Sequence, residues 1–242
     1  MANRSEVSWE NDNWLSQLLK KPCMRPSQKP TDSDTSVADP NLPGFYAIKT
    51  KTAHHDIVRD LFHKKFNLID LHIAFHLEGP LDSQALTTTR GLTIHRAERQ
   101  HIPLLQSIAV ESFSDSRFHR DPHISNGLAD KVWQQWTNDA VEDKDRIVLF
   151  AQRDQNICGF ISLRPCSDGC VSIDLFGVAK KFRREGVGEL LIRSISSFAG
   201  RPAGILLETE VSNTSALNFY GRLGFKTNSL FSIFHFHRNE PS

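Results

Sequence analysis

The segment FRREGVGELL, Phe182 to Leu191, places two arginines directly before Gly-Val-Gly and an apolar run. Arginines bring positive charge, glycines let a backbone come close to a partner, and a helix start presents amides with no internal acceptor. Together these residue types describe a cradle for a phosphate. They also suit a solvated turn before a helix. Positive side chains at a helix N-terminus oppose the helix dipole, however, and an anionic ligand relieves that conflict. In the cradle reading, the amides of Arg184, Glu185, Gly186, Val187, Gly188 and Glu189 face the anion, and Arg183 and Arg184 add charge-assisted bonds. A Cβ at Gly186 or Gly188 is then expected to intrude where the phosphate approaches.

Other reactive types are scattered. Cys23, Cys158, Cys166 and Cys170 contain no C-x-x-C pair, so structural thiols are expected. His72 and His76, like His235 and His237, stand at even spacing in strand-like runs, so each pair shares a face. No third ligand accompanies either pair at motif spacing, and ordinary strand histidines without a metal are expected.

The elements that must position the cradle follow from periodicity. Pro22 to Gly44, rich in Pro, Ser and Asp, reads as a long loop. Phe45–Thr50 and Asn67–Leu77 read as strands around a short helix at His55–Lys65, and Asp82–Gly91 reads as a linker. From Leu92 onward the order reads β-α-α-β-β-β-α-β-α-β: strand Leu92–Ala97, helices Ile102–Phe113 and Asn126–Val141, a three-strand antiparallel meander, a helix from Gly186 to about Ala199, strand GILLETEV, helix TSALNFYGRLG and strand LFSIFHFHR. The cradle thus sits between a strand and a helix, the context that phosphate binding needs.

The chain has 242 residues, with 29 basic against 28 acidic side chains, so no bulk basic field points to nucleic acid. No apolar stretch approaches the roughly 20 residues needed to cross a bilayer, and the first residues lack the apolar core of a signal peptide. A cytoplasmic protein without nucleic-acid or membrane partners is expected.

LFGVAKKFRREGVGELLI resembles the central R/Q-x-x-G-x-G/A motif of the Gcn5-related N-acetyltransferase superfamily, matched by Arg183, Gly186 and Gly188. ETEVSNTSALNFYGRLGF is similar to the superfamily's following motif, matched by Asn213, Phe219, Tyr220, Gly224 and Phe225. The resemblance covers residues 92–237. It implies an α/β (α+β) fold with a mixed, mostly antiparallel sheet flanked by helices, and acetyl-CoA as cosubstrate with no metal. It implies that the cradle holds the coenzyme pyrophosphate and that the backbone of Phe176, Gly177 and Val178 pairs with the pantetheine arm, where Gly177 suits close approach. Asn213 caps its helix and contacts the coenzyme, beside Phe219. Tyr220 is the acid that protonates the departing sulfur. Asp174 stands where many relatives keep a strand carboxylate that relays the amine's proton.

The N-terminal half carries a second expectation. GFYAIKTKTAHHDIVRDLFHKKFNLIDLHIAFH lies on GILLETEVSNTSALNFYGRLGFKTNSLFSIFHFH with little shift, pairing Phe66 with Phe225, Leu61 with Tyr220 and His54 with Asn213. Residues 1–91 are therefore expected to form a smaller, degenerate half-copy without cradle or acid, beside an acetyltransferase domain at 92–242. The half-copy would pair with the catalytic sheet, within one chain or across a homodimer, and wall the acceptor site. That layout, with WEN at Trp9–Asn11 and SRFHRDPHI at Ser116–Ile124, resembles the TDP-fucosamine acetyltransferases. The resemblance implies a nucleotide-linked amino sugar as partner, and places Arg117, Phe118, Arg120 and Asp121 in the loop and helix region over the acceptor site, where the arginines suit a diphosphate and Phe118 a base or sugar face. Other acceptors that fit the superfamily are a protein N-terminus, a peptide or a small amine.

Overall fold

The computed structural model describes residues 5–79 and 91–239. The chain runs β1 (Ser5–Val7), β2 (Trp9–Asn11), α1 (Asn13–Leu19), β3 (Cys23–Pro26), β4 (Asp34–Val37), β5 (Gly44–Lys51), α2 (His55–His63) and β6 (Asn67–Glu78). The expected linker lies, but for Gly91, outside the described residues. Then follow β7 (Leu92–Arg96), α3 (Ile102–Ser112), α4 (Arg117–Arg120), α5 (Asn126–Glu142), β8 (Ile147–Arg153), β9 (Asn156–Pro165), β10 (Val171–Val178), α6 (Val187–Arg193), α7 (Ile195–Phe198), β11 (Gly204–Glu210), α8 (Thr214–Arg222) and β12 (Lys226–Arg238).

Two differences from the sequence reading have local causes. The segment read as a loop from Pro22 to Gly44 contains β3 and β4. The polar residues that suggest a loop tie it down instead: Asp34 accepts from the Thr31 amide at 2.7 Å and from the Ser5 hydroxyl at 2.6 Å. The helix expected from Gly186 to Ala199 breaks into α6 and α7 at Ser194, whose hydroxyl donates back to the Leu190 carbonyl at 2.7 Å.

Ten strands form one sheet in the order β2-β3-β5-β12-β6-β11-β10-β9-β8-β7. The pairings β10–β11 and β3–β5 are parallel, and the others in this sheet are antiparallel. On one face α3 and α5 bury Leu105, Ala109, Val132 and Trp133 against Phe150, Phe160 and Leu175. On the other, α6 and α8 bury Leu190, Leu191 and Tyr220 against Ile161, Leu163, Ile173 and Leu207. Apolar residues on alternating sheet positions drive both layers, since each buried aliphatic or aromatic side chain contributes about 1.5–3 kcal/mol.

The expected division at residue 91 separates two stretches of sequence that share this sheet. β12 lies between β5 and β6, and β6 lies between β12 and β11. The unit β5-α2-β6 repeats β11-α8-β12 in detail. His54 and Asn213 both precede their helices, and the amides of Phe66 and Phe225 both return to the carbonyls of Leu61 and Tyr220. Lys65 and Gly224 both have left-handed backbones, with φ of 64° and 88°. The β6–β12 ladder is symmetric too: Asn67 opposes His235 as His76 opposes Lys226, and one bulge in each strand keeps the pairing in step. The two units are thus related by a pseudo-dyad between β6 and β12, within one chain.

Candidate active site

β10 and β11 pair only from Val171–Ile173 to Ile205–Leu207. Beyond Ile173 they splay apart. A bulge at Asp174 in the β9–β10 ladder turns the strand by one residue. Val171 and Ile173 therefore face α6 and α8, whereas Leu175 faces α3 and α5. Phe176, Gly177 and Val178 keep their β9 partners on one edge and leave the other edge open toward β11. The splay opens a cleft of about 1620 Å³, lined at one end by Arg183, Arg184, Gly186 and Gly188 and at the other by Lys49, His72, Arg117, Trp133 and Trp136.

At the first end the backbone makes a nest. Arg184 and Gly186 have positive φ, 63° and 85°, and Gly186 caps α6. No amide from Arg184 to Glu189 donates to an acceptor among the described residues, and the ladder of α6 begins with Leu190 bonding to Gly186 at 2.9 Å. A row of free amides on a helix start suits a pyrophosphate, and the open β10 edge suits an extended pantetheine, so the residues present fit coenzyme A. The side chains divide differently from the sequence expectation. Arg183 folds back, donating from Nε to the Val178 carbonyl at 3.0 Å. Glu185 pairs with Arg153, and Glu189 with Arg193 at 2.8 Å, so both offer amides rather than carboxylates. Val187 is buried.

Two glycines owe their identity to packing. A Cβ on Gly188 would lie 3.1 Å from the Phe176 ring and 3.3 Å from that of Phe219. A Cβ on Gly177 would lie 2.8 Å from the Ser112 hydroxyl of α3. The expectation of a Cβ intruding on a phosphate at Gly188, or on the ligand at Gly177, is therefore replaced by contacts within the protein.

Phe176 and Phe219 stack at 6.0 Å between centroids, and Tyr220 lies against Phe75, Phe176, Phe219 and Phe225. Asn213 caps α8, its Oδ1 accepting from the Ala216 amide at 3.1 Å. Tyr220 is 5% exposed, and its hydroxyl has no hydrogen-bond partner among the described residues. Burial pushes the phenol's pKa up, and Glu210 adds to the shift, so the group holds its proton at neutral pH.

The acceptor end departs further from the sequence reading. Asp174 is already engaged: Arg146 donates at 3.0 Å, Arg164 at 2.9 Å and the Ser172 hydroxyl at 3.1 Å. Phe118 is core, packed on Trp133 and His235. Arg120 bridges Asp70 at 2.9 Å, Asp115 at 2.8 Å and Ser212 at 2.6 Å. Asp121 is buried and accepts from His235 at 2.7 Å and His237 at 2.8 Å, fastening the loop after α4 to β12. Burial holds His235 near neutral, its pKa down to about 4. The WEN segment is likewise structural, Trp9 stacking on Phe66 and donating to the Ala38 carbonyl at 2.6 Å.

Arg117 remains in the cleft. Its guanidinium lies 4.8 Å over the Phe118 ring and has no ion-pair partner among the described residues. Beside it Trp133 and Trp136 stack at 5.2 Å. Sequence reasoning passed over His72, Glu208 and Glu210 as functional residues. His72 opposes Glu210 in the β6–β11 ladder, a pairing that motif spacing does not disclose. Burial raises Glu208, yet His72 and Lys49 outweigh it and bring the carboxyl to about 2.

Comparison with known proteins agrees with this geometry. The chain is 23% identical over 130 residues to the spore coat polysaccharide biosynthesis protein SpsD of Bacillus subtilis, covering 53% of this chain and 45% of that protein. It is 31% identical over 87 residues to streptothricin acetyltransferase A of Bacillus subtilis, covering 35% and 50%. The matches thus span about half the length of these curated relatives. The structure of a GCN5-related N-acetyltransferase from Kribbella flavida superposes with a TM-score of 0.60 at 13% identity, over 95% of this chain and 86% of that one. Residues 105–225, half of the chain, match the acetyltransferase (GNAT) family. With the splayed strands, the amide nest and the helix that carries Tyr220, the chain belongs to that family, and its fold is that of an acetyl-CoA-dependent N-acetyltransferase.

Proposed function

We propose that the protein transfers acetyl from acetyl-CoA to the amino group of a nucleotide-linked amino sugar, and that the 4-amino group of dTDP-4-amino-4,6-dideoxygalactose is its acceptor. Arg117 is the observation that carries this reading. It is a half-buried guanidinium lining the acceptor end of the cleft with no ion-pair partner among the described residues. Burial weighs on its charge, and a diphosphate would relieve it through bidentate bonds. Trp136, stacked on the buried Trp133, offers an aromatic wall for a base or sugar, and Lys29 adds positive charge along the same cleft. The match to a polysaccharide biosynthesis protein supports a sugar-linked acceptor. A second reading, acetylation of a small amine, rests on the match to streptothricin acetyltransferase A.

When bound, acetyl-CoA supplies a thioester whose C–S bond breaks as the amine nitrogen bonds to the acyl carbon. The amides from Arg184 to Glu189 hold the pyrophosphate, and the open edge at Phe176–Val178 aligns the arm. Tyr220, kept protonated by burial, gives its proton to the departing sulfur and is reprotonated by the proton the nitrogen sheds.

The test is thiol release from acetyl-CoA with a panel of nucleotide-linked amino sugars, free amino sugars, peptides and polyamines. Turnover of the dTDP-linked 4-amino sugar is expected. Arg117→Ala should raise its KM about 10- to 100-fold, the loss of a charge-assisted bond, with acetyl-CoA affinity unchanged. Turnover of peptides or simple amines but of no nucleotide sugar would refute the reading.

A further inference from the structure

Every group named so far in the acetyl transfer comes from the C-terminal part of the chain, and none accepts the proton that an ammonium must lose before it attacks. The amine has to arrive neutral at the acyl carbon, so a base is required. Asp174, on the strand where a carboxylate was expected, is spent on Arg146 and Arg164.

The pseudo-dyad brings other groups to that end of the cleft. His72, on β6, lines the cleft with Glu208 and Glu210 of β11. Behind it lies Asp70, whose side chain is only 2% exposed. Asp70 Oδ1 accepts from Arg120 at 2.9 Å and from the Leu71 amide at 2.8 Å. Its Oδ2 is buried and lies 3.7 Å from His72 Nε2, also buried, and neither atom has a hydrogen-bond partner among the described residues. The other ring nitrogen, Nδ1, lies 3.7 Å from Glu208 Oε2 on the cleft side. Both separations exceed a hydrogen bond, and such contacts commonly tighten when substrate binds. Two buried orphan atoms facing each other across a ring whose far side opens to the cleft make an orienting carboxylate and a base.

We propose that Asp70 and His72 form the proton-accepting dyad of the reaction, with Glu210 holding the acceptor ammonium and His72 Nδ1 taking its proton. The N-terminal half then contributes a catalytic residue. The proposal rests on the acetyl-transfer reading and not on the identity of the amine. The protons balance. One leaves the ammonium for His72 and later for solvent. The second leaves the nitrogen as C–N forms and reaches the sulfur through Tyr220. Tyr220, Glu210 and His72 line the same cleft, so acid and base open on one space.

The charges around the imidazole suit this role. Burial opposes a charged ring, and Asp70, Glu208 and Glu210 outweigh it, so His72 is raised above its ordinary value, with Arg117 as the opposing cation. Lys49 lies 2.8 Å from Glu208, and Arg120 holds Asp70. The ligand atoms of Asp70, His72 and Glu210 also lie within 4.8 Å of one another, a spacing a divalent cation could use. Arg120 on Asp70 and Arg117 nearby oppose a doubly charged ion at this place.

The experiment begins with the ligand-free protein. An NMR titration of the His72 ring should place its pKa above the ordinary 6.5 or so, and Asp70→Asn, which keeps the shape, should lower it by about one unit or more. With whichever amine the wild type acetylates, kcat/KM should rise with pH along a limb that follows His72, and Asp70→Asn should move that limb down. His72→Gln should lower kcat about 100-fold or more and remove the limb, with acetyl-CoA affinity and melting temperature retained as controls for folding. Wild-type kcat in folded His72→Gln, or a limb that neither variant moves, overturns the dyad. So does stoichiometric Mn²⁺ or Zn²⁺ binding on which activity depends. Because neither the titration nor the amine panel relies on a nucleotide sugar, the dyad stands or falls separately from the acceptor assigned above.

Discussion

Gly188 distinguishes two explanations of the same glycine. If it is small because a phosphate passes over it, alanine there should spare the fold and weaken coenzyme binding. The structure gives a different reason: the new Cβ would meet the Phe176 ring at 3.1 Å and the Phe219 ring at 3.3 Å. Both distances require the rings to move by a few tenths of an ångström. Overpacking of this kind costs about 1–3 kcal/mol, and alanine returns up to about 1 kcal/mol of helix propensity, so Gly188→Ala should lose about 1–2 kcal/mol. In a chain of this size that is about 2–8 °C of melting temperature. Shortening the closer ring should reduce the cost. In a Phe176→Leu background the same glycine substitution should be less destabilising, a coupling of about 0.5–2 kcal/mol measurable in a double-mutant cycle by thermal or urea unfolding. Coenzyme affinity should fall only as far as the rings shift. Additive effects on stability, or a Gly188→Ala protein of unchanged melting temperature that has lost acetyl-CoA binding, would refute ring packing as the reason for the glycine.

Two shorter predictions follow from the same geometry. Tyr220→Phe keeps the ring among Phe75, Phe176, Phe219 and Phe225 and deletes an unpaired hydroxyl; single-turnover chemistry should slow about 100-fold or more while melting and acetyl-CoA affinity stay level, and an unchanged rate would leave Tyr220 a packing residue. Lys65 occupies with φ 64° the place that Gly224 fills in the other repeat, so Lys65→Gly should stabilise the protein by about 1 kcal/mol in urea unfolding, and destabilisation would show that its backbone is not strained.

Sequence and structure agree wherever a local pattern carries the information. The cradle at Arg184–Glu189, the cap at Asn213 and the half-copy of β5-α2-β6 are readable because each depends on residues a few positions apart. The acceptor end is different. Phe118, Arg120 and Asp121 have the right types for ligand contacts, but tertiary partners claim each of them: Trp133, Asp70 and the pair His235 and His237. Asp174 is claimed in the same way by arginines from β9 and from just before β8. Conversely, His72 acquires Glu208 and Glu210 as neighbours only through the register of β6 on β11, which no spacing within either strand records, while Asp70 stands two residues away on β6 itself. Arg117, by contrast, stacks on the Phe118 ring and has no ion-pair partner among the described residues: tertiary placement, not residue type, decides which member of a charged cluster is left open.

The interleaving of β5, β12, β6 and β11 has a consequence for how the protein is made. Neither outer pair is local: β6 finds its partners only after the chain has passed from Glu78 to Gly204, and β5, paired with β3 on one edge, finds its second partner only once β12 exists. Loop-closure entropy must be met before either contact returns anything, so this region should assemble late and slowly, whereas the meander β8–β9–β10 can form from neighbours. During synthesis one edge of β5 and one edge of β6 stay unpaired until β12 emerges, exposed to pairing with other chains. Since β12 separates the two strands of the N-terminal unit, that unit has no sheet of its own to fall back on. Folding and assembly of the acceptor site therefore become one event: a chain that has not yet placed β12 has neither its full sheet nor a positioned His72.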